Sequence, residues 1–191
     1  MLMIAEYEKE YELLRIEMME WQNRRFAIVG ISITLVSALL GAGQVAGAKL
    51  PWEFVTVLGL FFLSVACLLT AYCGIANTKL ATYLQVYHEV EGSRFRWETR
   101  LEAFPSVIGR FENLNQHISM IYLVLAVLTL CLPPLLLGSP LGGKYHLVPV
   151  VMMTLIFCLA LVWLFRSQGR REAFKAHWQQ IAQQETAATS G

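Results

Sequence analysis

The residues that could do chemistry are scattered along this chain in patterns that favour no catalytic site. Several hydroxyl residues lie in apolar stretches, but no His or Lys in the same stretch could activate them: Ser32, Ser37, Ser64 and Thr70. The four histidines lack the spacing of a metal site: His88, His117, His146 and His177. The chain has no Asp, no Gly-rich phosphate loop and no paired catalytic carboxylates. We therefore expect no enzyme activity, no cofactor, no metal and no nucleic-acid partner.

The four cysteines also favour a structural interpretation over a chemical one. They fall within apolar stretches without the spacing of a metal site: Cys67, Cys73, Cys131 and Cys158. A thiol in such a place behaves as a small hydrophobic side chain. We expect all four to be reduced, and a disulfide or zinc site is the less favoured alternative.

Four long apolar runs dominate the sequence and should form the scaffold of the molecule. They contain no Lys, Arg, Asp or Glu and begin near Phe26, Phe54, Ile118 and Leu147. Each extends for about 19 to 23 residues, which as a helix crosses a hydrocarbon core of roughly 30 Å. With 56% hydrophobic residues and a mean hydropathy of +0.50, a chain of 191 residues has more apolar surface than one soluble core can bury. The sequence predicts an all-α integral membrane protein with four transmembrane helices.

The distribution of basic residues predicts the orientation of these helices. Thirteen of the fifteen Lys and Arg residues lie in the two terminal segments and the central connection, whereas Lys49 and Lys144 lie in the two short connections. Basic loops stay in the cytosol, so we expect both termini there. The predicted organisation is a cytosolic amphipathic helix at 1–25, a transmembrane hairpin at 26–76, a cytosolic helical connection at 77–117, a second hairpin at 118–165, and a cytosolic helix with a disordered tail at 166–191. We expect no signal peptide before the first run, because acidic residues follow the opening Met-Leu-Met-Ile.

The segment before the first span has the periodicity of a helix that packs against another helix. Its apolar and aromatic residues recur at spacings of three and four: Ile4, Tyr7, Tyr11, Leu14, Met18 and Trp21. Trp21 stands beside Arg24 and Arg25, as expected of a membrane-interface anchor. A helix that lies on the lipid surface is the alternative, but its acid-rich face would be repelled by anionic lipid.

Two further segments extend the predicted cytosolic helical layer. No Gly or Pro interrupts the chain between Ile75 and Gly92, so the second span should continue into the cytosol as one long helix. Further aromatic faces come from a short helix at 94–104 and from the C-terminal helix, with a disordered tail after Glu185. We expect these faces to bind a cytosolic protein or other copies of the chain, through Tyr83, Tyr87, Glu89, Trp97, Glu98 and Trp178.

A strip of small residues marks the first span as the helix that makes the closest contacts. Its members recur mostly at every fourth position: Gly30, Thr34, Ala38, Gly41, Ala42, Gly43 and Gly47. Such strips let helices approach closely in lipid. A helix of the same chain is the favoured partner, and a second copy in a homo-oligomer is the alternative. The second span carries a shorter strip of small residues, Ala66, Thr70 and Gly74.

Pro133 and Pro134 interrupt the third apolar run near its outer end. A proline lacks the amide donor of a helix, and its ring clashes with the preceding turn. We expect the pair to bend or end the third helix, as a simple stop before the outer loop. A gating hinge is the less favoured alternative.

Two stretches of sequence carry a resemblance to known proteins. The run EYELLRIEMMEWQNRR before the first span and LATYLQVYHEVEGSRFRWE after the second resemble a group of uncharacterised bacterial membrane proteins. The matching positions are Tyr11, Leu14, Arg15, Glu17, Ala81, Tyr83, Leu84, Glu89, Trp97 and Glu98. The resemblance covers about the first hundred residues and implies the inner membrane of a bacterium. More loosely, the layout is similar to the small two-span effector domains of bacterial antiphage systems.

Two hypotheses of function follow from these patterns. In the first, copies assemble through the first span, and a cytosolic signal shifts the assembly to an ion-leaking state in a defence or stress system. In the second, the protein is a passive membrane anchor whose cytosolic aromatic helices bind a soluble partner. The close-packing spans favour the first, and the lack of charged pore-lining residues favours the second.

Overall fold

In a computed structural model, described here for residues 2–45, 51–89, 114–137, 147–168 and 170–189, the chain forms helices joined by short irregular segments. The five helices are α1 (Leu2–Val45), α2 (Trp52–Tyr87), α3 (Leu114–Leu137), α4 (Leu147–Gln168) and α5 (Arg171–Thr189). No strand occurs among these described residues. The helices α1 to α4 are each long and apolar enough to cross a membrane. The predicted all-α class with four candidate spans is thereby confirmed.

The N-terminal segment and the first apolar run form one helix. α1 is unbroken for 44 residues, or about 66 Å at the helical rise. Strong helix formers such as Glu, Leu, Met and Arg fill its first half, and no Gly or Pro occurs before Gly30. The amphipathic segment and the first candidate span therefore belong to one helix.

The chain divides into two compact units. The aromatic unit comprises Met1–Arg24, Tyr72–Leu114 and Ser167–Gly191, and the apolar unit comprises Arg25–Ala71 and Asn115–Arg166. α2 runs unbroken for 36 residues and ends at Tyr87, where the amides of His88 and Glu89 both donate to the Leu84 carbonyl. The long second helix is therefore present, although it ends before the expected junction at Gly92.

The apolar unit has one core to which four helices contribute. Its buried members include Val29 and Val36 of α1, Leu60 and Leu63 of α2, Tyr122 and Leu125 of α3, and Phe157 and Leu164 of α4. Large apolar side chains remain exposed on the outside of the same helices, among them Ile31, Phe61, Leu128 and Leu159. An apolar exterior of this extent is what contact with lipid hydrocarbon requires.

The aromatic unit has a smaller core between α1 and α2. Tyr11 and Met18 are buried against Ala81 and Leu84, with Leu14 and Leu80 packed at the edge. The three-and-four spacing of α1 therefore lies against another helix of the same chain, as the periodicity predicts.

The prolines of α3 do not end the helix. Pro133 and Pro134 lie inside α3, which extends past them to Leu137, the residue before the expected outer loop, so the prolines themselves do not end the helix. Pro133 has no amide to donate to the carbonyl of Thr129, four residues earlier. The Thr56 hydroxyl of α2 donates to that carbonyl instead, at 3.3 Å in a buried position. A hydroxyl from a neighbouring helix thus replaces the amide that Pro133 cannot donate to the Thr129 carbonyl.

The C-terminal segment is more ordered than its composition suggests. α5 continues to Thr189, so the prediction of disorder directly after Glu185 is wrong for these residues. Alanines favour helix, and the Thr186 hydroxyl donates to the Ala182 carbonyl one turn earlier at 2.8 Å.

Candidate functional site

The aromatic residues predicted to bind a partner lie against one another in the aromatic unit. Tyr83 and Tyr87, one turn apart on α2, stack with ring centroids 4.7 Å apart. Trp178 of α5 meets both rings edge-on, at 5.2 Å from Tyr83 and 6.3 Å from Tyr87. Such pairs stabilise a fold by about 0.5–1.5 kcal/mol beyond the area that they bury. The cluster therefore holds α5 on α2.

Three tyrosine hydroxyls of this unit each donate a hydrogen bond to a glutamate that is distant in sequence. The pairs are Tyr11 with Glu89 at 3.3 Å, Tyr83 with Glu10 at 3.3 Å, and Tyr87 with Glu185 at 3.2 Å. Hydrogen bonds to a charged acceptor are stronger than neutral ones. Together they connect α1 to the end of α2, and α2 to α5.

The environment of these tyrosines keeps them protonated. Desolvation, followed by the Glu10 carboxylate, raises the pKa of Tyr83 above its ordinary value. Desolvation and then Glu185 raise the pKa of Tyr87 in the same way. A protonated phenol that donates to a carboxylate acts as a structural hydrogen-bond donor.

His88 lies almost fully buried beside the same network. Its Nε2 is 3.8 Å from Oε1 of Glu10, and its ring lies 5.9 Å from the rings of both Tyr11 and Tyr83. Burial lowers the pKa of His88 and outweighs the opposite effects of Glu10 and Glu89. The imidazole is therefore neutral at pH 7, and its approach to Glu10 is not a full ion pair.

Trp21 has the contacts of an anchoring side chain within the aromatic unit. Its indole nitrogen donates to Glu17 at 3.3 Å, and its ring meets Tyr72 edge-on at 5.9 Å. The Arg24 guanidinium lies 4.9 Å from the centre of the same ring, a cation–π geometry. The predicted placement of Trp21 at the headgroup layer stays a prediction.

The chemistry available among the described residues is binding and packing. No group of three or more His, Cys, Asp or Glu side chains in the described part of the chain could hold a metal ion. No disulfide joins the four cysteines, all of which lie in described helices. The hydroxyls of Ser32 and Ser64 donate to carbonyls one turn earlier in their own helices, at 2.7 Å each. Both hydroxyls are therefore hydrogen-bonded within their own helices.

The small-residue strip of α1 points away from the core of the apolar unit. Five of its members are exposed: Gly30, Thr34, Ala38, Gly41 and Ala42. A Cβ atom added at Gly30 or Gly41 would meet nothing within 4 Å. The expectation that the strip packs against a helix of the same chain is therefore wrong. α1 contacts its own bundle through a neighbouring face, which carries Val29, Ser32 and Val36.

A close helix contact of this unit lies on α2, at a glycine that the sequence reasoning missed. A Cβ atom added at Gly59 would stand only 2.6 Å from Cγ2 of Thr129 in α3. One turn earlier on α2, Thr56 reaches the Thr129 carbonyl. One turn beyond the expected Ala66, the Thr70 hydroxyl lies 2.7 Å from that of Tyr122. The signal that could have found Gly59 is its position three residues after Thr56 on the same helix face.

Several predicted site residues fall outside these observations. Gly47, Trp97 and Glu98 lie outside the described residues, as does the expected helix at 94–104. For Tyr7 and Gly43 the structure describes only their place on α1.

No protein-family model matches this chain, and no curated protein or solved structure matches it significantly. The resemblance of its first hundred residues to bacterial membrane proteins therefore stays an expectation from sequence. The argument for function depends on the geometry of the two units.

Proposed function

We propose that the protein is a non-enzymatic, oligomeric membrane protein whose copies associate through the outer face of α1. The observation that carries this proposal is the exposed strip with open space at Gly30 and Gly41. In lipid, small residues let two helices come close enough to gain dispersion contacts that acyl chains do not match. Because the strip is free of intrachain contacts at these glycines, a second copy is the partner that fits it.

The proposed location is the inner membrane of a bacterium, with both termini in the cytosol. The apolar exterior of the four candidate spans and the concentration of basic residues in the terminal and central segments support this topology. Labelling of intact cells with an impermeant amine reagent tests it. Lys49 and Lys144 should react from outside, and reaction of Lys9 or Lys175 instead would reverse the topology.

Within this frame we propose that the assembly acts as a regulated leak, or as an accessory component, in a bacterial defence or stress system. Close-packing spans joined to a helical unit outside the membrane support a membrane assembly that responds to a cytosolic signal. The looser likeness in layout to two-span antiphage effectors supports the biological setting.

The mass of the protein in a mild detergent tests the assembly. Wild type should be a defined oligomer, and Gly30→Leu and Gly41→Leu should reduce it to the monomer because a bulky side chain keeps the helices apart. Val151→Leu, on the exposed side of α4, is the control and should leave the mass unchanged. A monomeric wild type, or oligomers that tolerate both leucines, would contradict the proposal.

Dye release from liposomes tests the leak. Vesicles that contain the protein should stay tight alone and should release dye when the products of neighbouring genes are added. Vesicles with the Gly30→Leu variant should remain tight. Membranes that stay tight under every such condition would remove the leak and leave an accessory role.

A further inference from the structure

The aromatic unit leaves one apolar face of α1 uncovered. Leu13, Ile16 and Met19 are 57%, 55% and 59% exposed, although they lie in a helix whose other side is buried against α2. They recur at every third position and so lie on one side of the helix. Three large apolar side chains at this spacing are the usual anchors of a helix that docks another helix.

Lipid does not account for the exposure of this face in the topology proposed above, on which the inference rests. The first apolar run begins at Phe26, so Met19 and Leu13 precede it by about 10 and 20 Å along the helix axis. This stretch of α1 lies outside the first apolar run. A cluster of acidic side chains surrounds it, which hydrocarbon would not accept.

The charges beside the face define the partner. Glu12, Glu17 and Glu20 flank the apolar side chains on α1, and residues 6–20 carry six Glu against two basic residues. Glu20 already forms an exposed ion pair with Arg24, at 3.3 Å. The surface is therefore an apolar stripe whose margins carry more acidic than basic side chains, the basic ones being Lys9 and Arg15.

A second copy is a poor occupant of this face. The association proposed above is made at Gly30 and Gly41, about 16 Å or more beyond Met19 along α1, and copies inserted in the same direction have parallel α1 helices. In a parallel pair the residues five apart across the interface come together, so Glu12 of one copy would meet Glu17 of the other. Like charges in contact oppose association.

We propose that this face of α1 binds a basic amphipathic helix of a cytosolic protein, in which an apolar stripe is bordered by Lys or Arg. Leu13, Ile16 and Met19 supply the apolar anchors. Glu12 and Glu17 supply the charges that select a basic partner. The surface is distinct from the cluster of Tyr83, Tyr87 and Trp178, whose rings are engaged within the chain.

Binding of a labelled peptide of leucine and lysine, amphipathic as a helix, tests the proposal by fluorescence anisotropy. The full chain is held in phosphatidylcholine nanodiscs, with empty nanodiscs as the blank and a leucine–glutamate peptide as the comparison. The lysine peptide should bind, and Ile16→Glu should weaken its binding by about tenfold or more. Gln179→Glu, an exposed change on α5 that adds the same charge, should leave binding unchanged.

A charge exchange provides the second arm. The Glu12→Lys/Glu17→Lys variant should lose the lysine peptide and gain the glutamate peptide. This exchange requires a folded chain, so it separates loss of the surface from loss of structure.

Three results would overturn the proposal. They are equal binding of both peptides to wild type, unchanged binding of the lysine peptide to Ile16→Glu, and a disulfide between copies through Ile16→Cys in a chain whose native cysteines are replaced by Ser. The last would assign the face to a second copy. None of the three depends on the oligomer mass, so failure here is distinguishable from failure of the proposed assembly.

Discussion

Two stretches of small residues in the apolar unit have opposite surroundings. At Gly59 of α2, the absence of a side chain lets Thr129 of α3 approach to a distance that a Cβ atom could not tolerate. At Gly30 and Gly41 of α1, the same absence faces open space. A small residue in a candidate span therefore allows another helix to come close. Whether that helix belongs to the same chain or to another copy depends on which helix lies beside it.

The largest effect should come from Gly59→Ala. The new methyl group would meet Cγ2 of Thr129 at 2.6 Å, and Thr129 is held in place because its hydroxyl donates to the Leu125 carbonyl at 2.7 Å. Overpacking of this kind costs about 1–3 kcal/mol of the free energy of unfolding. Titration with a denaturing detergent would measure the loss.

The matched control for that change is Gly59→Ala combined with Thr129→Ser. Serine removes Cγ2 and keeps the hydroxyl, so the double variant should recover most of the stability. An unchanged stability in Gly59→Ala alone would show that the contact between Gly59 and Thr129 has room for a methyl group.

Thr56→Val should have the next largest effect. It removes the hydroxyl that donates to the Thr129 carbonyl, and a buried carbonyl without its donor costs about 1–3 kcal/mol. At 3.3 Å the hydrogen bond is long, so we expect a loss of about 1 kcal/mol. The same detergent titration measures it.

Pro133→Ala shows whether Thr56→Val destabilises the protein by leaving the Thr129 carbonyl without a donor or by a change in packing. Alanine restores the backbone amide that proline lacks, so Thr56→Val should cost less in the Pro133→Ala background. Equal losses in both backgrounds would show that the Thr56 hydroxyl does not replace the missing amide.

A smaller effect on stability should come from His88, a buried titratable residue of the aromatic unit. Burial lowers the pKa of His88 in the folded chain, so the unfolded chain takes up its proton at a higher pH. The free energy of unfolding should therefore be fully present above the ordinary histidine pKa and should fall as the pH drops below it. Glu10, Glu89, Tyr11 and Tyr83 surround the imidazole, and the two carboxylates moderate the fall.

Thermal unfolding of wild type and His88→Gln between pH 7.5 and pH 5.5, followed by tryptophan fluorescence, measures this slope. The variant should show the flatter dependence. A steeper or equal slope in His88→Gln would assign the pH dependence to other groups.

The smallest effect on the isolated chain should come from Gly30→Ala and Gly41→Ala. Alanine favours helix over glycine by up to about 1 kcal/mol, and no atom obstructs the new methyl groups. The stability of the monomer in denaturing-detergent titration should stay level or rise slightly. A loss as large as that of Gly59→Ala would erase the contrast between the two stretches.

The parts of this fold that the sequence predicts are those with local causes. The four apolar runs, the long second helix and the seam through Tyr11, Leu14 and Met18 follow from composition and from a three-and-four period. These patterns need no knowledge of which helix lies beside which.

The parts that the sequence did not predict depend on a distant neighbour. The sequence places Gly59 on one helix face with Thr56 but does not show which residue approaches it, because Thr129 lies 70 residues further along the chain. The sequence could not show that α3 continues through Pro133, because Thr56, which donates to the carbonyl left without an amide donor, lies in another helix. Likewise, the shared period of Tyr83, Tyr87 and Trp178 indicated an aromatic face, but only the structure shows that the two helices carrying these residues turn those faces toward each other.

The bond from Thr56 to Thr129 has a consequence for how this protein can evolve. A hydroxyl at position 56 matters only while position 133 is proline, since any other residue there would donate its own amide to the same carbonyl. Among descendants of a common ancestor, the two positions should therefore change together: apolar residues should enter position 56 mainly in lineages that have lost the proline.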